Sequence, residues 1–189
     1  MDLGIKNKNA LITGGSRGLG LASAVSLAKE GVNLIICARS KDDLEKAKDK
    51  LDQYNVNVIT FEQELSDEKS VKEFYSKIKS KVNNVDILVN NVGGSLGTTS
   101  LLESEIKDFQ KVMDINTWVA ISLTKLFVEE MIDRGWGRII NIASIYGREY
   151  GGSAPYMAAK AALIAATKHT AINLAKTGVT ANCIAPGSI

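Results

Sequence analysis

Ala10-Leu-Ile-Thr13-Gly14-Gly15-Ser16-Arg17-Gly18-Leu19-Gly20 joins a short apolar run to a glycine-rich turn and the start of a helical pattern. Leu21, Val25 and Ala28 continue that pattern at helical spacing, and Gly31 closes it on the C-terminal side. Strand, glycine turn and helix in this order suit a phosphate. Glycine permits positive φ and close backbone approach, and the first helical turn presents unpaired N–H groups at the positive end of its dipole. The spacing is Gly-x3-Gly-x-Gly rather than Gly-x-Gly-x-x-Gly. A tight strand–helix turn that holds no ligand is the plainer alternative.

Working outward, apolar strand-like runs fall at 9–13, 33–38, 57–61, 86–90, 138–143 and 180–184. Helical patterns fall between them at 17–30, 41–54, 67–81, within 103–134 (one long helix or a pair) and at 156–176. Ser40 and Ser66 are placed to cap the second and third. Near-continuous apolar strands are buried on both faces, which means a parallel sheet covered by helices. The reading is an α/β fold of the Rossmann type, one domain over 1–189, doubly wound in the order 3-2-1-4-5-6. Ligands bind such sheets at the carboxyl ends of the strands.

Composition narrows the function classes. A net charge of +2, with no Lys/Arg cluster interleaved with aromatics, argues against a nucleic-acid surface. The mixed charges of 41–50 read as a solvated amphipathic helix. The N-terminal stretch has no apolar core of a secretory signal, and no apolar run approaches the roughly 18 residues of a membrane span. Cys37 and Cys183 sit in strands separated by three others, too far apart for a disulfide. Two buried thiols suit a cytoplasmic location. No His/Cys/Asp/Glu cluster has metal-ligand spacing, so no metal is expected.

Tyr156-Met-Ala-Ala-Lys160 lies in the last helical pattern, with Ser144 upstream at the end of the fifth strand. Residues four apart lie about 40° apart on one helix face. That puts an ammonium beside a phenol, and a neighbouring positive charge favours the phenolate. Alone, the pair is an ordinary surface feature. His169 lies about 220° around the same helix from Tyr156, away from it, and reads as structural.

Together these features resemble the short-chain dehydrogenase/reductase family across essentially the whole chain. Its motifs appear in order: Thr13 to Gly20, Asn90-Asn91-Val92-Gly93, Asn116 within Asp114-Ile-Asn-Thr, Ser144, Tyr156 with Lys160, and Pro186-Gly187. Two departures stand out. Val92 replaces the usual alanine, and the stretch from Ser144 to Tyr156 is one residue shorter than the commonest version.

The resemblance implies a catalytic set of Asn116, Ser144, Tyr156 and Lys160. Asn116 would organise a water linking Lys160 to solvent. A cofactor site would be formed by Gly14, Ser16, Arg17, Gly18, Leu19 and Gly20, then Arg39, Ser40, Glu64 and Leu65. Asn91, Val92, Gly93, Tyr156, Lys160, Pro186, Gly187 and Ile189 would complete it. Arg39 ends the second strand where an acidic residue suits NAD and an arginine suits the 2′-phosphate of NADP, so NADP(H) is expected over NAD(H). Arg17 can reach the same phosphate, unless both arginines simply pair with Asp42 or Asp43. Glu64 is read either as an adenine contact or as a solvated acid. Asn91 and Gly93 are read either as ribose contacts or as a strand-end turn. Tyr146, Arg148, Glu149 and Tyr150 either line the substrate pocket or are plain loop residues.

The implied activity is hydride transfer between nicotinamide and a carbonyl or secondary alcohol, with a 3-oxoacyl-thioester reductase first and a sugar or polyol dehydrogenase second. A nucleotide-binding sensor or scaffold without turnover is the non-enzyme alternative. Family members commonly pair through the two long helices, which implies a homodimer or homotetramer. They also normally continue past this point with a substrate loop and a seventh strand. The expectation is therefore a biological chain longer than 189 residues, whose sixth strand here is an open edge.

Overall fold

The computed structural model describes residues 1–187; Ile189 lies outside them. The strands are β1 (Asn9–Thr13), β2 (Asn33–Ala38), β3 (Val58–Glu62), β4 (Ile87–Asn90), β5 (Gly137–Ile142) and β6 (Val179–Ile184). They form one parallel sheet in the order β3-β2-β1-β4-β5-β6, as the alternating pattern required. The helices are α1 (Gly18–Lys29), α2 (Lys41–Leu51), α3 (Glu68–Lys79), α4 (Ile106–Met113), α5 (Val119–Asp133) and α6 (Ala154–Asn173).

Side chains alternate between the two faces of each strand, so both layers are apolar. Ala10, Ile12, Leu34, Ile36, Ile87 and Val89 meet Ala24 and Ala28 of α1 and Leu44, Ala47 and Leu51 of α2. On the other face Leu11, Ile35, Leu88 and Ile139 meet Phe74 of α3 and Leu123 and Phe127 of α5. At about 25 cal/mol per Å² of apolar surface removed from water, these two layers are the main source of stability. Among the described residues, no helix is long and apolar enough to cross a membrane.

The structure settles three details of the helices. Asp67, not Ser66, caps α3: its carboxylate accepts from the Ser70 N–H at 2.8 Å, and the Ser70 hydroxyl accepts from the Asp67 N–H at 3.1 Å. That reciprocal pair satisfies two amides that Ser66 alone would not. The long 103–134 pattern is two helices joined by a π-helical turn, Asp114–Trp118. Finally, α6 starts at Ala154 rather than Tyr156, because Pro155 is tolerated in a first turn.

The strand order reverses at β1, which is flanked by β2 on one side and β4 on the other. The crevice at the carboxyl ends there is the topological switch point of such a sheet.

Candidate active site

The β1–α1 turn is built for close backbone approach. Gly14 has φ +63° and Gly18 φ +53°, both in the left-handed region. A Cβ on Gly20 would lie 2.2 Å from the Gly14 carbonyl oxygen, so α1 begins pressed against the turn. Ser40 caps α2 by accepting from the Asp43 N–H, but Arg17 at the start of α1 makes no side-chain cap. The opening amides of α1 therefore have no side-chain cap, and a Cβ at Gly18 would meet nothing within 4 Å. Ser16 is buried in the turn, while Arg17 and Leu19 are exposed. This open cradle fits a dinucleotide pyrophosphate.

Two strand-end side chains hold the cradle. The Thr13 hydroxyl oxygen accepts from the backbone N–H groups of Asn91 at 2.9 Å and Val92 at 3.0 Å. The Asn91 side-chain amide donates to the carbonyls of Thr13 at 2.9 Å and Gly14 at 3.2 Å. Asn91 thus ties β4 to the glycine turn. Thr13 was not singled out from the sequence, because a threonine ending a strand looks like an ordinary strand former.

At the outer end of the crevice Arg39 and Glu64 face each other, with Nη1 and Oε1 3.8 Å apart. Among the described residues Asp42 and Asp43 form no ion pair with either Arg39 or Arg17. Leu65 buries its side chain in the core beneath β3, so it can meet a ligand only through its main chain. Val92 packs partly against the same core.

The chemical centre lies over β4, β5 and the start of α6. Lys160 is buried, and its Nζ donates to the Ile142 carbonyl oxygen at 2.8 Å. Among the described residues no carboxylate pairs with it, and burial pulls the ammonium down from 10.5 to about 8. The Lys160 Nζ sits 5.6 Å from the centre of the Tyr156 ring. Tyr156 itself is half-buried. Ser144 caps the 3-10 turn Ile145–Gly147, which packs on α6; its hydroxyl oxygen accepts from the Tyr146 N–H at 3.2 Å. Pro186 joins this region because its carbonyl accepts from the Ile145 N–H at 2.9 Å, while Gly187 is exposed beside it.

Asn116 lies in the π turn and is buried. Its amide clamps the Gly94 peptide from both sides, Oδ1 accepting from the N–H at 3.0 Å and Nδ2 donating to the carbonyl at 2.8 Å. A second donation reaches the Val112 carbonyl at 2.8 Å. A Cβ on Gly93 would lie 2.4 Å from Asn116 Oδ1 and 3.0 Å from Lys160 Nζ. The bare glycine is what lets these two side chains approach the same stretch of β4 exit. A π turn is a common mark of a functional position in a helix.

Other residues fall outside this centre. His169 is exposed and hydrogen-bonded to Asn173 at 3.0 Å. Cys37 is buried, and its thiol is pushed up to about 12 by burial. Cys183 is only half-buried, contrary to the sequence reading, because β6 has a neighbour on one side alone. Among the described residues no group of His, Cys, Asp or Glu is placed to hold a metal ion. A cavity of about 210 Å³ lies away from the site, between α5 and α6 over Asn141 and Thr167.

Residues 8–189 match the family described as short chain dehydrogenase. The chain is 37% identical to a 3-oxoacyl-[acyl-carrier-protein] reductase from Rickettsia prowazekii, over 98% of this chain and 74% of that protein. It is 34% identical to a 2-dehydro-3-deoxy-D-gluconate 5-dehydrogenase from Formosa agariphila, over 97% of this chain and 70% of the other. The crystal structure of L-sorbose reductase from Gluconobacter frateurii, complexed with NADPH and L-sorbose, superposes with a TM-score of 0.93 at 33% identity. That likeness covers 99% of this chain and 72% of the reductase.

Proposed function

Since the chain belongs to the short chain dehydrogenase family, and is an oxidoreductase of that family, we propose that it is an NADP(H)-dependent reductase of 3-oxoacyl thioesters. The observation that carries this reading is the buried Lys160 ammonium beside the Tyr156 ring, next to a glycine cradle whose helical amides lack a side-chain cap. A structural lysine would be expected to pair with a carboxylate; among the described residues none pairs with this one.

The cofactor, when bound, supplies the hydride. The chain's own groups place and polarise the substrate. The α1 amides and the glycine turn hold the pyrophosphate, and Arg39 and Arg17 take the 2′-phosphate through forked, charge-assisted hydrogen bonds. Asn91 and Gly93 border the ribose, and Lys160 holds it. The Ser144 hydroxyl donates to the substrate carbonyl oxygen and stabilises the charge that grows there. The Tyr156 hydroxyl gives its proton to that oxygen as the alkoxide forms. Asn116 fixes the chain at Gly94, and through it the wall beside Lys160.

The loops beside the site offer contacts to an apolar substrate tail. Leu96, Leu101 and Leu102, on the loop leaving β4, are exposed, as is Tyr150 on the facing loop. The loops are joined where the Thr98 and Ser153 hydroxyls lie 2.7 Å apart and the Ala154 N–H donates to the Thr99 carbonyl at 3.0 Å. Ser95, Thr99, Ser100, Arg148 and Glu149 are exposed on the same two loops, so a polyol would find polar groups there as well. The second reading, a sugar or polyol dehydrogenase, keeps its support from the gluconate dehydrogenase and the sorbose reductase likenesses. The test is NADPH oxidation by the full-length protein against acetoacetyl and longer 3-oxoacyl thioesters, ketoses and simple ketones. Turnover rising with acyl length supports the thioester reading, ketose preference supports the second, and dinucleotide binding without turnover on any of them returns the chain to a sensor or scaffold.

The same reading makes the protein a homodimer or homotetramer. Trp118 and Ile172 are exposed, and Ala158, Ala161 and Ala165 give α6 a slim exposed face for close packing. Its place is the cytoplasm, where free thiols persist.

A further inference from the structure

We infer that Glu64 sets the cofactor preference: it competes with the ribose 2′-phosphate for Arg39, and so keeps the site open to NAD(H) as well as NADP(H). The inference rests on the dinucleotide reading above and adds a residue whose effect opposes Arg39.

The two side chains meet for a structural reason. β2 and β3 are adjacent and parallel, with Ala38 opposite Glu62. The ladder runs one step further, since the Gln63 N–H donates to the Ala38 carbonyl at 2.9 Å. Arg39 and Glu64 therefore leave neighbouring strand ends together, at the outer edge of the crevice, with Nη1 and Oε1 3.8 Å apart. The other polar groups near Arg39 are spoken for or point to different partners. The Ser40 hydroxyl oxygen caps α2, and Lys41 pairs with Glu45 at 3.8 Å. Arg17 forms no ion pair among the described residues.

The pair is a weak, exchangeable one, because the side chains of Arg39 and Glu64 are 69% and 65% exposed. A phosphate dianion offers Arg39 stronger, forked bonds than a single distant carboxylate oxygen. Taking them frees the Glu64 carboxylate beside a new dianion, and like charges at short range oppose each other. A ribose with a plain 2′-hydroxyl makes no such demand. Arg39 keeps its carboxylate, no cation is left unpaired, and NAD(H) binds without that penalty. Arg39 thus pulls toward NADP(H), and Glu64 reduces the margin.

The experiment compares dissociation constants for NADPH and NADH by nucleotide fluorescence, using the full-length protein, Glu64→Gln, Arg39→Ala and the double variant, at low and high salt. Glu64→Gln should tighten NADPH about three- to tenfold and leave NADH within about twofold, with the gain shrinking as salt screens the repulsion. In the Arg39→Ala background most of that gain should vanish. Equal changes for both nucleotides, or unchanged NADPH affinity in Glu64→Gln, would overturn the inference, since Glu64 would then be an adenine contact or a bystander. If the parent protein binds neither nucleotide, the dinucleotide reading fails first and takes this inference with it.

Discussion

Lys160 Nζ donates to the carbonyl oxygen of Ile142 across 2.8 Å, from a side chain that is 3% exposed. A buried ammonium with one neutral acceptor is poorly compensated for the water it has lost. The fold carries that cost because α6 docks on β5 with the lysine pointing into the sheet. The same docking brings Lys160 to Gly93, while Tyr156 lies beside it through their four-residue spacing on α6.

The cost is readable against pH. Burial lowers Lys160 from 10.5 to about 8, a difference of roughly 3 kcal/mol in favour of the neutral form. Below about pH 8 both folded and unfolded chains hold the proton, and the penalty is present in full. Between about pH 8 and 10.5 the unfolded chain binds more protons, so stability rises with pH. Lys160→Met removes the buried charge but strands the Ile142 carbonyl, which takes back about 1 kcal/mol. Urea unfolding should find the variant about 2 kcal/mol more stable than the parent at pH 7, with the advantage shrinking above pH 8. Cys37 acts in the opposite direction, since burial raises its thiol to about 12 and the unfolded chain ionises first. That contribution cancels in the difference between the two proteins. A pH-independent difference would mean that Lys160 is not the buried cation described.

Tyr156→Phe separates proton transfer from binding. The ring and its contact with the lysine remain, and only the hydroxyl is lost. Turnover should fall by about two to four decades, in line with general-acid contributions, while the NADPH dissociation constant stays within about twofold. Near-normal turnover in this variant would remove Tyr156 from the chemistry.

Gly93→Ala tests the junction rather than either side chain. The added methyl would arrive 2.4 Å from Asn116 Oδ1 and 3.0 Å from Lys160 Nζ. The first is closer than carbon contacts come and the second is at the tight limit, so the β4 exit or the Asn116 side chain must shift and crowd the lysine. Overpacking of this kind costs about 1–3 kcal/mol of stability. Displacement of the lysine should cost about a hundredfold in turnover, as misplacements near 1 Å do. Thermal unfolding and steady-state kinetics on one preparation report both effects. An active, fully stable Gly93→Ala would show that the lysine and asparagine do not need this gap.

Sheet order was legible because the strands read as near-continuous apolar runs between helical patterns, and β1 and β2 fall where the sequence placed them. The motif residues were legible as types in order. Bond-level geometry was not. The π turn at Asp114–Trp118 is a shift of backbone hydrogen bonds, which no residue type announces. Only the poor helix propensity of Asn116 hinted at it. The Asp67 cap was missed because serine and aspartate are near-equal caps, and Ser70 decided between them. That the Leu65 side chain enters the core, leaving its main chain to face a ligand, is likewise a matter of geometry that the residue type does not state. The Arg39–Glu64 pair joins two strands 25 residues apart in sequence, visible only once their register is known.

A buried amide chain links the sheet to the helix that carries the site, and it offers the last test. Asn90 and Asn141 are register partners on β4 and β5. The Asn90 amide donates to Asn141 Oδ1 at 2.8 Å, the Asn141 amide to the Thr167 hydroxyl oxygen at 2.8 Å, and that hydroxyl to the Leu163 carbonyl of α6 at 2.7 Å. All three side chains are buried. Asn141→Leu removes the shortest bond of the Asn90 amide, which keeps only its 3.3 Å contacts to the Ala120 carbonyl and the Thr124 hydroxyl, and takes a donor from Thr167, so it should cost about 1–3 kcal/mol. Asn90→Leu should cost a similar amount, because it relieves the unpartnered Asn90 Oδ1 but takes the donor from the buried Asn141 Oδ1 and from the Thr124 hydroxyl. Replacing both asparagines with leucine removes the donor together with its acceptor. The double variant should then be about 1–2 kcal/mol more stable than the sum of the single losses predicts, as in other contacting pairs. Urea midpoints for the four proteins of the cycle give that coupling directly. Strict additivity would mean that the two amides stabilise the sheet separately.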